Sequence, residues 1–340
     1  MDKTAAESSD SLGVLHLERF YVQCLASKRG TVSEKSEDDW RFDNIVLAGL
    51  GLPLESTIQY VIQSEPTFAE FEKWILATND GSIDALRIER INSAISGKPH
   101  SQRLNDFLKE IEESPDVLPA DDLRFWDENG YVIVREAVSR EQAKAAEDAV
   151  WEFLGMSPDN ADTWYERQIG KGIMTEFYHH PALSATRGSE RIHKAFAQLW
   201  KTADLWMTTD RTSFNPPENK RFTFPGPRLH WDMSLAPPHY FGTQGLLYLC
   251  DTEPDQGAFR CVPGFHRDIG DWLAALPAET DPCQVDLDER AVPIGAKAGD
   301  FVIWHQALPH GSSPNRGSYP RIVQYINMYP LDREENLHWL

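Results

Sequence analysis

Apolar residues recur at helical spacing through the first third of the chain, then give way to short runs separated by Gly and Pro. The pattern predicts helices over 15–25, 45–50, 54–63, 67–78 and 84–95, with breaks at Asn79-Asp80-Gly81 and Gly97-Lys98-Pro99. Residues 1–12 read as a disordered tail and 28–39 as a polar loop. After a linker over 112–119, the periodicity gives a short helix over 121–129 and a strand over 131–134. A further helix, capped by Ser139, is stopped by Gly155. Beyond a last helix over 190–201, short strands punctuated by Gly and Pro imply a barrel or jelly roll. The organisation expected is therefore a tail (1–12), a helical accessory region (13–118) acting as a lid or homodimer contact, and a mainly β domain (119–340) with flanking helices.

Candidate chemistry enters with His230-Trp231-Asp232. In a strand, positions i and i+2 share a face, so one strand would present a histidine and a carboxylate together. The motif is weak alone: 11 His and 53 Asp+Glu in 340 residues give about two His-x-acid matches by chance. Three occur, at His16, His230 and His266. His16-Leu17-Glu18 lies on an amphipathic stretch and His266-Arg267-Asp268 opens a short helix, which are ordinary surface settings. A third ligand is sought downstream. Gly299-Asp300 signals a turn and the apolar run after it a buried strand, which the chain leaves through Leu308-Pro309-His310-Gly311-Ser312. His305 competes with His310 for the role; His310 is preferred, with His305 read as a packed, hydrogen-bonded residue. Two imidazoles and one carboxylate on one face of a metal suit a non-haem Fe(II) oxygenase, because the opposite positions stay open. A final strand beginning at Arg321 could anchor a dicarboxylate beside that metal.

The set His230-x-Asp232, Gly257-Ala258-Phe259-Arg260-Cys261-Val262-Pro263-Gly264-Phe265-His266, Gly299-Asp300, the run from His310 to Arg316, and Pro320-Arg321 resembles the phytanoyl-CoA dioxygenase family. The resemblance covers residues 119–330. It implies a double-stranded β-helix (jelly roll, cupin-like) and Fe(II)- and 2-oxoglutarate-dependent oxygenation. His230, Asp232 and His310 would then be the iron ligands, with Arg321 and Ser312 on the distal carboxylate of 2-oxoglutarate. Tyr248 and Thr212 would line the co-substrate pocket. Arg316 is the rival anchor; Arg321 is preferred because its spacing from His310 is the family's and because Arg316 sits in a solvated loop motif. Arg228, Arg211, Gln244, Met174 and Arg260 are candidate substrate contacts at the barrel mouth. Halogenases related to this family replace the carboxylate ligand by a small residue, so Asp232 implies hydroxylation of a small metabolite with O2, releasing succinate and CO2. The competing readings are a cupin-like metalloenzyme that does not use 2-oxoglutarate and a catalytically silent binding barrel.

Charge narrows the partners. A net charge of −20 argues against nucleic acid and anionic membrane surfaces. It also disfavours a polyanionic acyl-CoA, so the family's name does not supply the substrate. Cys24, Cys250, Cys261 and Cys283 show no paired spacing and read as free thiols. No run of 18 apolar residues appears and the N-terminus lacks a basic, apolar leader, so a cytoplasmic protein is expected.

Overall fold

The computed structural model describes residues 11–31, 37–166, 172–226 and 228–336; all but two positions of the expected 1–12 tail lie outside them. The chain divides into two compact units, 1–110 with 204–209 and 111–203 with 210–340.

The first unit holds α1 (Leu17–Lys28), α2 (Glu37–Leu50), α3 (Leu54–Ser64), α4 (Phe68–Thr78), α5 (Ala85–Ser96) and the start of α6 (Gln102–Glu113). Local signals set their ends. Thr67 and Glu70 close a reciprocal capping box on α4, Asp84 caps α5, and Gly97 leaves α5 at φ 66°. Helices α2 and α5 approach closely because position 49 has no side chain: a Cβ there would lie 2.3 Å from Ile91 Cγ1. Helix α6 is absent from the sequence expectation. Its buried Leu104, Leu108 and Ile111 share the helix with eight charged or amide residues, which masked the apolar face.

The second unit begins with α7 (Ala120–Asn129), β1 (Tyr131–Val134) and α8 (Arg140–Leu154), whose Ser139–Gln142 capping box and Gly155 stop are where the pattern placed them. Then come β2 (Met174–Thr175), α9 (Pro181–Arg187) and α10 (Glu190–Trp200). Helix α9 was not expected; the His179-His180-Pro181 run is its start, with the His180 ring accepting from Ala182 N. Leu205–Met207 forms β3 inside the segment 204–209. The remaining strands are β4 (Thr212–Asn215), β5 (Thr243–Tyr248), β6 (Phe259–Cys261), β7 (Val292–Ile294), β8 (Phe301–His305), β9 (His310–Ser312), β10 (Arg321–Tyr325) and β11 (Met328–Pro330). Helix α11 (Phe265–Ala275) separates β6 from β7.

Two antiparallel sheets face each other. The larger runs β1-β8-β5-β10-β4-β2 and the smaller β7-β6-β9. Between them lies one apolar cluster in which Leu246, Tyr248, Val302, Trp304 and Val323 of the larger sheet meet Phe259, Cys261 and Ile294 of the smaller. This is the expected double-stranded β-helix with flanking helices. Cys24, Cys250 and Cys261 are free and buried, and Cys283 is free and exposed. Among the described residues no single helix is long and apolar enough to cross a membrane.

Candidate metal centre

His230, Asp232 and His310 come together, each offering a ligand atom within 4.8 Å of the others. The local geometry differs from the expectation in two ways. His230 does not stand on a strand: it makes an isolated antiparallel bridge with His310, and the chain turns irregular at Trp231. His310, expected in a loop leaving β8, opens the short strand β9, which pairs with β6. The bridge is reciprocal, with His230 N to His310 O and His310 N to His230 O both 3.0 Å. Two backbone bonds thus fix the spacing of the two imidazoles, whose ring centroids are 4.7 Å apart. Trp231 turns the other way, into the core, and donates from Nε1 to Ala307 O at 3.0 Å.

Hydrogen bonds on the far side of each ring select its tautomer. His230 Nδ1 lies 3.0 Å from Arg228 O, and His310 Nδ1 3.0 Å from Leu308 O. A carbonyl can only accept, so each Nδ1 carries the proton and each Nε2 presents a lone pair. Those Nε2 atoms stand 3.5 Å and 3.3 Å from Asp232 Oδ1 and Oδ2 respectively. Burial and the facing His310 push the His230 pKa down, which favours the neutral, ligating ring. For Asp232, burial acts to raise the pKa, but the facing His310 and His230 rings and the Gln244 amide outweigh it and hold the carboxyl well below its usual range. Two neutral imidazole nitrogens and one carboxylate, converging with no proton between them, are a donor set for a divalent cation.

A cavity of about 340 Å³ opens over these ligands. Met174, Arg211, Gln244 and Ser312, all candidates from the sequence, line it; Asp210, Phe259, Trp304, Tyr325 and Asn327 line it without having been singled out. Asp210 accepts from Arg211 N at 3.0 Å, and burial raises its pKa. A lone Asp ahead of a three- or four-residue strand carries no pattern, and only the fold places it here. Arg228 and Arg260 are not in the lining: Arg228 is exposed, and Arg260 pairs with Asp288 at 3.2 Å. Tyr248 and Thr212 are fully buried outside it. The Tyr248 hydroxyl is consumed by backbone, donating to Ile294 O at 2.6 Å and accepting from Phe259 N at 3.0 Å, and the Thr212 hydroxyl bonds that of Thr175.

Arg321 starts β10, and alternation puts it on the same face as Val323 in the interior cluster and Tyr325 in the cavity wall. Its guanidinium is 0% exposed; Nη1 donates to Ser213 Oγ at 3.2 Å, while Nε and Nη2 have no hydrogen-bond partner among the described residues. A buried cation with one edge of its fork unpaired suits a carboxylate, which would take both donors. Arg316 is exposed on a loop. His305 lies apart from the ligands, tilted against His266 and edge-on to Phe241, with Nδ1 accepting from Ala307 N.

A family model described as phytanoyl-CoA dioxygenase (PhyH) matches residues 126–323, more than half the chain. A Dictyostelium discoideum protein carrying the provisional name phytanoyl-CoA dioxygenase is 20% identical over 274 residues, covering 63% of this chain and 76% of its own. The Ava biosynthesis cluster protein O of Aspergillus versicolor is 23% identical over 230 residues, covering 59% and 74%. Among solved structures, EctD from S. alaskensis has a TM-score of 0.47 at 17% identity, covering 66% of this chain and 81% of its own. AviO1 from Streptomyces viridochromogenes Tue57 has a TM-score of 0.46 at 18% identity, covering 65% and 99%.

Proposed function

The chain belongs to the phytanoyl-CoA dioxygenase family, and from that premise we propose that it is an Fe(II)- and 2-oxoglutarate-dependent oxygenase that hydroxylates a small polar metabolite. The observation that carries the reading is the convergence of His230, Asp232 and His310 on one point beside a cavity, with the unpaired edge of Arg321 on the same interior face. Fe(II) and 2-oxoglutarate, when bound, supply the oxidation, consuming O2 and releasing succinate and CO2.

The protein's own residues supply placement. Carbonyls of Arg228 and Leu308 hold both imidazoles with Nε2 outward, so metal entry need not displace a proton from either ring. Arg321, fully buried behind the lining, would receive the distal carboxylate of 2-oxoglutarate on Nε and Nη2, and Ser312 stands in the lining itself. Phe259 and Trp304 form an apolar wall that excludes water from the reacting carbon. Asp210 and Arg211 offer the substrate one acceptor and one donor of opposite charge, which supports a small polar or zwitterionic substrate over a long acyl chain. Asp232 in place of a small residue supports hydroxylation over halogen transfer. The expected site of action is the cytoplasm.

An anaerobic Fe(II) titration tests this. Wild type should bind one equivalent, and Asp232→Ala should lose at least tenfold in affinity, about 1.4 kcal/mol or more. Equal uptake by the two proteins would remove Asp232 from the ligand set and with it this assignment.

A further inference from the structure

Asp232 follows a single bridged residue in an irregular stretch, so the backbone alone does not fix where its carboxylate points. The fixing comes from β5. Gln244 sits opposite Trp304 of β8 in register, and both side chains reach the cavity. Trp304 Nε1 donates to Gln244 Oε1 at 3.0 Å, and Gln244 Nε2 donates to Asp232 Oδ2 at 2.7 Å. An indole N–H can only donate, so it settles which end of the carboxamide is oxygen and turns the NH2 end to Asp232. The bond to the carboxylate is charge-assisted and short.

We propose that Gln244, set by Trp304, is a positioning residue that makes Asp232 a one-oxygen metal ligand and so keeps a coordination position open. The inference rests on the metal-centre reading above. Oδ2, which lies 3.3 Å from His310 Nε2, carries the amide hydrogen bond, and this favours Oδ1, facing His230 Nε2 at 3.5 Å, as the ligating atom. Three ligands on one face leave the opposite face for a chelating keto acid and O2. A carboxylate that swung to chelate with both oxygens would take one of those positions. The sequence reading had Gln244 as a substrate contact; its hydrogen bonds tie it to the ligand sphere instead, with one edge of the residue still in the cavity wall.

Co(II) alone is the probe, since its visible absorption reports both binding and coordination number without turnover. Gln244→Met keeps length and volume but removes the donor. It should weaken Co(II) binding about 10- to 100-fold and lower the absorption intensity of the bound ion, as a chelating carboxylate raises the coordination number. Trp304→Phe keeps an aromatic side chain but replaces the indole and so removes the N–H that sets the amide, and should move both readouts the same way by a smaller factor, so the test survives if Gln244→Met does not fold. Gln244→Met within twofold of wild type, with an unchanged Co(II) spectrum and a native circular dichroism melt, would overturn the proposal. A wild-type protein that takes up no Co(II) would sink the metal-centre reading itself, which separates the two failures.

Discussion

At the scale of single residues, the ligands were legible and their supports were not. His230-x-Asp232 and His310 could be named because a metal demands particular atoms, and those atoms come from few residue types. Gln244 and Asp210 could not be assigned their places, because a hydrogen bond from β5 to a loop 12 positions earlier, or a carboxylate before a short strand, leaves no spacing rule. Tyr248 illustrates the opposite error: an aromatic hydroxyl at a plausible spacing turned out to be satisfied by backbone. Arg321 yields a sharp expectation. Arg321→Lys keeps the charge but loses the fork, so the 2-oxoglutarate concentration needed for half-saturation should rise by about tenfold or more; titration of the anaerobic metal-loaded protein reads this, and an unchanged value would move the anchor elsewhere. His305 gives a pH expectation. Burial and then His266 depress its pKa from 6.5 to about 3, so the folded state holds it neutral. The unfolded chain binds the extra proton between those values, so its contribution to stability is complete above about pH 6.5 and is lost as pH falls toward 3. Urea midpoints at about pH 7 and about pH 4.5 should therefore differ more in wild type than in His305→Phe. Equal differences would show that His305 does not titrate with unfolding.

At the scale of elements, helix ends were readable and strand ends were not. Ser139 with Gln142, and Gly155 after Leu154, bound α8 by local chemistry that acts over a few residues. The strands around the site are two to six residues long and depend on partners far along the chain: β9 exists because Phe259–Cys261 pairs with it, and Pro309 and Gly311 hid it from pattern reading. The expectation of one strand carrying His230 and Asp232 named two side chains that do converge, but by the wrong geometry, since a single bridge does the work of a ladder. Strand β5 carries a steric constraint of its own. A Cβ at Gly245 would lie 2.4 Å from Phe301 Cζ and 2.8 Å from the Ile326 carbonyl oxygen, and the latter is backbone that cannot swing aside. Gly245→Ala should cost about 1–3 kcal/mol in a urea melt; a variant as stable as wild type would mean that β5 and β8 can separate without penalty.

At the scale of the whole molecule, the change from helical to short-strand periodicity carried the fold class, because a double-stranded β-helix needs many short strands and an accessory helical region does not. The division into two units was only partly visible: the return of 204–209 to the first unit comes from contacts, and nothing in local composition marks it. A net charge of −20 is a property of the entire chain and argues, with the polar lining at Asp210 and Arg211, for a small substrate that brings little negative charge of its own. The central claim is that the chain couples a His-Asp-His metal to 2-oxoglutarate, and succinate formation by the purified protein with Fe(II), ascorbate, 2-oxoglutarate and O2 measures it most directly. Wild type should release succinate and Asp232→Ala should release about a hundredfold less. Succinate formation that is undiminished in Asp232→Ala, or a wild-type protein that neither forms succinate nor binds 2-oxoglutarate anaerobically, would contradict the account.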